Sequence, residues 1–442
     1  MKSIKIYISL SAVLLWLCFS INAWAQDTPI DVITIACDHT SQCYEVGEDA
    51  VFTISVGKEE LAQKGELKVL LTNDDRDRIA EEYIFDLSKN NPVTIVQGID
   101  FPGFIQVRAN VTIEGQTINS AIFKVGFSPE KIVQALPKPD DFDEYWKRSQ
   151  QEVREIPIDL KQTRLEELCN EKHEVYAISF ATVGDRRVYG YLSLPKSDDA
   201  PFPALVNVPG AGNGVGPEFW LADKGFVVMN MNFLPYEVHW DGETRKKQFD
   251  EFNKTLDVPY QYNGVQDRNT YFFRAAYLGI DRAVDWLAEQ PYVDSRRIGY
   301  YGSSQGGASG LILGGLNSHF CALVTAVPAS CDHGGHLTGR SPGWPRIADY
   351  FRQDEKVIEE MRYLDAVNFA SRINNAYIDV TVGFIDNVCC PSSVYAAYNA
   401  IPSAKKTMLH ELKLGHQNGR QYSEALERLM QRVKNNTDDP DK

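Results

Sequence analysis

Past its first twenty-five residues the chain has no apolar run long enough to cross a bilayer, so its body is expected to be soluble and not inserted in a membrane. It also lacks an excess of positive charge. Sixty acidic residues against 45 basic ones give a formal charge of −15, which argues against nucleic acid or anionic lipid as a partner. The eight cysteines show no metal-ligand spacing. There is no internal repeat, and the only segment with a disordered composition is Asn435–Lys442. Gly210 to Gly216 is glycine-rich, but no lysine follows it in a Walker pattern and no dinucleotide fingerprint opens a helix there. No metal and no organic cofactor is implied.

The long apolar run that is present lies at the very start. Lys2 and Lys5 precede the apolar stretch Ile6 to Ile21, and Ala23-Trp24-Ala25 gives a small-x-small pattern before Gln26. Cys18 follows Leu17, where a lipid-modified cysteine follows a small residue. Residues 1–25 therefore read as a cleaved export signal, with the product periplasmic or secreted. Cleavage leaves 417 residues and a charge of −17, long enough for two domains. Seven cysteines remain in that oxidising setting, an odd number. Cys37 and Cys43 are spaced to close a small loop, whereas a bond between adjacent Cys389 and Cys390 is strained.

Residues 26–125 read as short strands separated by turns, among them 50–56, 67–71, 93–96 and 103–111. This spacing, with little helical pattern, predicts an immunoglobulin-like β-sandwich. No catalytic constellation appears in it. Residues 126–442 alternate amphipathic helices with nearly continuous apolar strands such as 203–208, 226–231, 321–327 and 377–382. That alternation predicts a mostly parallel sheet covered by helices on both faces.

The chemistry gathers in this second part. Gly302-Ser303-Ser304-Gln305-Gly306 follows an apolar strand and precedes a small, apolar helix. A G-x-S-x-G at a strand–turn–helix junction is the nucleophile elbow of α/β-hydrolases. It makes Ser304 the candidate nucleophile and the Gln305 N–H a candidate oxyanion donor. A serine hydroxyl needs a histidine base and a carboxylate to orient it, in the chain order Ser, acid, His. Asp386 follows a late strand, and His416 lies in a loop just before the last helix. Both fit. His410 sits within a strand pattern and would not project from its end. Asp332, His333 and His336 form a cluster too small for a convincing metal site. His239 reads as a surface or packing residue, and Asp294 as a turn cap. The second oxyanion donor is assigned to the Ala211 N–H, with Gly210 as the alternative, in the loop after the first central strand.

Residues from about 126 to 433 resemble the acetyl xylan esterase and cephalosporin C deacetylase family of α/β-hydrolases. The resemblance rests on Asp141-Phe142-Asp143-Glu144-Tyr145-Trp146, Tyr271 to Leu278, the Ser304 elbow, and Val382 to Cys389 running into Pro391 to Asn399. It implies Ser304 as nucleophile, Asp386 as acid and His416 as base, and metal-free removal of acetyl from sugar hydroxyls. The implied substrate is an acetylated xylan-type oligo- or polysaccharide. Two departures stand out. Asn232-Phe233-Leu234-Pro235 replaces the family's Arg-Gly-Gln, bearing on the pocket wall and on the hexameric packing of relatives, so a homo-oligomer is left open. His416-Gln417 replaces a His-Glu pair. Two further readings compete: a hydrolase of the same fold acting on larger acyl or uronoyl esters or on peptides, and an inactive hydrolase serving as a glycan-binding protein.

Overall fold

The computed structural model describes residues 32–74 and 76–435. The export segment expected at 1–25, and residues 436–442 of the tail, lie outside the described residues.

Strand-forming alternation builds the N-terminal part. Along Asp49–Val56 the side chains of Ala50, Phe52, Ile54 and Val56 all point inward and are buried. This strand lies between Ile33–Cys37 and Val93–Gly98 in a three-stranded antiparallel sheet. A second sheet runs in the order Cys43–Tyr44, Gln116–Phe127, Gly103–Ile113, Glu66–Asn73, Arg76–Asp86. Inward residues of both sheets, such as Phe52, Ile54, Val69 and Val107, share one core. The division of strands between the sheets is that of an immunoglobulin-like sandwich. Cys37 and Cys43 do not pair, and all seven described cysteines are free. Cys37 is registered against Phe52 in one sheet and Cys43 against Gly126 in the other, so the strands carry the two thiols into different layers.

The remainder is a nine-stranded sheet flanked by helices. Six neighbouring strands pair in parallel, in the order Lys406–Glu411, Tyr377–Gly383, Phe320–Ala326, Val293–Ser303, Phe202–Asn207, Val227–Asn232. Three antiparallel strands, Arg186–Pro195, His173–Thr182 and Lys161–Arg164, complete one side. Helix Phe142–Glu155 buries Phe142, Tyr145, Trp146, Ser149 and Val153, a stripe at helical spacing. Helix Phe272–Ala288 is buried on nearly every side, as its mostly apolar sequence requires. Chain order reverses across Phe202–Asn207, whose two neighbours are reached by crossovers in opposite directions. In open α/β sheets, ligands bind outside the carboxyl ends of the strands at such a switch point.

Candidate active site

The elbow forms because the strand ending at Ser303 must turn directly into helix Gln305–Leu316. Ser304 bears the whole turn, with φ 60° and ψ −118°. An L-residue held there stores on the order of 1–3 kcal/mol. Two glycines make it possible. A Cβ on Gly302 would lie 2.6 Å from the Gly306 carbonyl oxygen, and one on Gly306 would lie 2.2 Å from that of Val208. The turn is pinned by Ser304 N–H donating to the Ala326 carbonyl at 2.9 Å and by the buried Tyr300 hydroxyl donating to Gly306 O at 2.6 Å.

Ser304, Asp386 and His416, expected from the sequence as a unit, are brought together at the carboxyl edge of the sheet. His416 Nε2 is 2.8 Å from Ser304 Oγ, and His416 Nδ1 is 2.8 Å from Asp386 Oδ2. Asp386 is fully buried, and its other oxygen accepts the N–H groups of Val388 at 2.7 Å and Cys389 at 3.0 Å. Those bonds leave Oδ2 aimed at the imidazole. This arrangement suits a proton moving from the serine hydroxyl to Nε2 while the carboxylate holds the Nδ1–H tautomer.

Gly210 packs against the elbow, since a Cβ on it would lie 3.4 Å from the Ser303 carbonyl and 3.8 Å from Ser304 Cβ. Ala211 lines the same cavity as Ser304 and His416, of about 420 Å³, together with Trp344 and Val388. The Gln305 side chain is occupied, accepting from the Tyr260 hydroxyl at 2.8 Å, while its N–H opens the helix, where an N–H has no intrahelical acceptor. A second hollow of about 540 Å³ shares Ala211 and Trp344 and extends to Phe249, Leu256 and Tyr260.

The competing residues go elsewhere. His410 Nε2 lies 2.6 Å from the Tyr395 hydroxyl, within the strand Lys406–Glu411. Asp332 accepts from Ala135 N–H and pairs with Arg340, each at 2.7 Å, so its carboxylate serves a structural ion pair. Burial pushes the neighbouring His333 down to about 4. His239 accepts from Asp241 N–H at 3.1 Å and stacks on Trp240. Asp294 accepts from Arg296 N–H in a local turn.

Asn232, Phe233 and Leu234 are buried and line neither hollow; Phe233 packs edge-on against Phe273 and Tyr277. The wall beside Ser304 comes from Trp344 and Val388 instead. Sequence reasoning missed both: Trp344 lies outside every motif, and Val388, although within the stretch Val382 to Cys389, has an apolar side chain that marks no role. Trp344 is seated from two sides, donating its N–H to Val388 O at 3.1 Å and accepting Ser330 N–H at 2.6 Å.

Residues 130–432 match the model of the acetyl xylan esterase (AXE1) family. The chain belongs to the acetyl xylan esterase family. As a family member it is a carboxylic ester hydrolase. It is 31% identical over 332 residues to acetyl esterase Axe7A of Xylanibacter ruminicola, covering 73% of each chain. Among solved structures it superposes on acetyl xylan esterase 1 from Thermoanaerobacterium sp. JW/SL YS485 with a TM-score of 0.60 and 26% identity, covering 69% of this chain and 97% of that one. The acetyl xylan esterase from Paenibacillus sp. R4 shares the fold at a TM-score of 0.59 and 24% identity, with coverages of 69% and 98%. In this esterase the matched region leaves out the sandwich, which precedes residue 130.

Proposed function

We propose that this chain is an exported serine esterase that removes acetyl groups from xylan-type polysaccharide or its oligosaccharides. The observation that carries the reading is the continuous chain of two 2.8 Å contacts from Asp386 through His416 to Ser304, at the floor of an open cavity. Ser304 Oγ attacks the acetyl carbonyl as its proton passes to His416 Nε2. The Ala211 and Gln305 N–H groups receive the negative charge that develops on the carbonyl oxygen, a contribution of about 10²–10³ in rate per donor in comparable sites. The tetrahedral intermediate expels the sugar oxygen, which takes the proton from His416. Water, deprotonated by His416, then attacks the acetyl-Ser304 ester and releases acetate. Trp344 and Val388 line the cavity beside Ser304 that would receive the acetyl group, and the adjoining hollow has room for the sugar. The leader at 1–25 and the polysaccharide named for relatives support export and the substrate class.

Acetate release from acetylated xylo-oligosaccharides tests this directly, with Ser304→Ala alongside. Wild type should release acetate, and the variant should lose at least about 10³-fold in kcat. Full activity in Ser304→Ala would remove the nucleophile assignment. Activity confined to longer acyl or uronoyl esters would remove the acetyl assignment while keeping the serine.

A further inference from the structure

The triad's acid is held from behind by the other half of the molecule. Lys124, on the sandwich strand Gln116–Phe127, has no solvent exposure, and neither has Asp74, at the end of Glu66–Asn73. Lys124 Nζ lies 3.1 Å from Asp74 Oδ1 and 3.0 Å from the main-chain oxygen of Asp386. The Ser392 hydroxyl, at the start of helix Pro391–Ala400, donates to the other Asp74 oxygen. Around this link the sandwich makes further contacts with the hydrolase. Phe104 packs edge-on against Phe384, two residues before Asp386, with ring centres 5.4 Å apart, and Asn73 Nδ2 donates to Gly339 O at 2.6 Å.

A buried ammonium is costly unless its charge is paired and its protons are bonded. Here one acceptor belongs to the sandwich, and another is the peptide carbonyl of the residue that orients His416. A charge-assisted bond to that carbonyl is stronger than one between neutral groups. It restrains the main chain at Asp386, while the Val388 and Cys389 N–H groups fix the carboxylate from the front. We propose that Lys124 and Asp74 are positioning residues for the esterase reaction: their ion pair, supplied by the N-terminal sandwich, fixes the Asp386 loop and through it His416. This rests on Asp386 being the triad acid. It gives the sandwich a role in catalysis that needs no glycan binding.

The test uses full-length protein carrying Asp74→Asn with Lys124→Met. The pair is removed together so that no single charge is left buried, and Asn keeps an acceptor for Ser392. On p-nitrophenyl acetate, kcat should fall about 10-fold or more while KM stays within about 2-fold, because misplacement of a catalytic group acts on the reacting state. Val107→Ala, in the sandwich core, is the control: it should lower the melting temperature and leave kcat unchanged. Wild-type kcat in a folded double variant overturns the proposal, as does an equal fall in kcat for Val107→Ala. If the double variant does not fold, Ser392→Ala decides. It keeps the ion pair but frees one Asp74 oxygen, and should lower kcat about 3-fold with KM unchanged; an unaltered kcat there overturns the proposal. Asp386→Asn, run beside them, isolates the underlying reading. Retained activity in that variant would reject the triad, whereas its loss alongside an unaffected double variant would reject only the positioning role.

Discussion

Ser304 holds a backbone conformation that L-residues rarely adopt, and its neighbours are selected by what they do not occupy. Gly306→Ala would drive a Cβ to 2.2 Å from the Val208 carbonyl, a backbone atom that cannot swing aside. Overpacking of this kind costs about 1–3 kcal/mol, and it also shifts the loop beginning at Val208 that carries the proposed oxyanion donor Ala211. The expected outcome is a lowered melting temperature and an esterase kcat reduced about 100-fold, since an ångström of misplacement has that effect. Thermal melts and acetate release on the purified variant check both. The grouping of Ser304, His416 and Asp386 was legible in the sequence because the chemistry proposed for it demands fixed residue types in a fixed order after particular strands. Trp344, Val388 and Lys124 were not, because what each does depends on a partner 40 to more than 250 positions away and on no local pattern.

Secondary-structure elements here are joined by buried polar groups as well as by apolar faces. Asp281, on helix Phe272–Ala288, accepts from Gln150 of helix Phe142–Glu155 at 2.9 Å and from Asn317, just past helix Gln305–Leu316, at 3.0 Å. Burial, and then the charge of nearby Asp285, push its carboxyl up to about 6, against about 3.9 for an unfolded aspartate. The folded protein thus holds this proton more tightly than the unfolded chain does. The resulting stabilisation is complete below pH ~4 and is lost as pH rises through about 6. Asp281→Asn should flatten that part of the stability profile, read as the difference in urea midpoints between pH 4.5 and 7. The core strands and the long helices were legible from their apolar periodicity. Arg76–Asp86 was missed because its charged run Arg76-Asp77-Arg78 hides the alternation, as befits an edge strand. Gln116–Phe127 was missed because its first residues are exposed and only Lys124 to Phe127 are all buried. Helix Gly242–Lys254 buries no residue fully, so its sequence carries little periodic signal.

At the scale of the molecule, the sandwich and the hydrolase share an interior. Phe104 belongs to the sandwich by strand, yet it is fully buried in the hydrolase core against Phe384 and Tyr395. Phe104→Ala should cost about 3–5 kcal/mol. It should lower the unfolding temperature of the hydrolase itself, visible as earlier loss of esterase activity on heating. The sequence announced two units by the change from strand spacing to helix–strand alternation. It could not announce their fusion, because one phenylalanine and one lysine within a strand pattern look like any others.

The seven unpaired thiols among the described residues bear on how such a molecule can be made. Burial holds Cys331 and Cys389 well above the ordinary thiol range and pushes Cys390 up to about 12 and Cys43 and Cys321 to about 11, so the reactive thiolate is scarce at neutral pH. Among the described residues no cross-link contributes to the fold. Chain refolded from urea in the presence of reductant should regain full activity with the same thermal midpoint as chain refolded without it. Production in a reducing bacterial cytoplasm should therefore yield the same enzyme as production beyond the membrane, with no need for oxidase or isomerase.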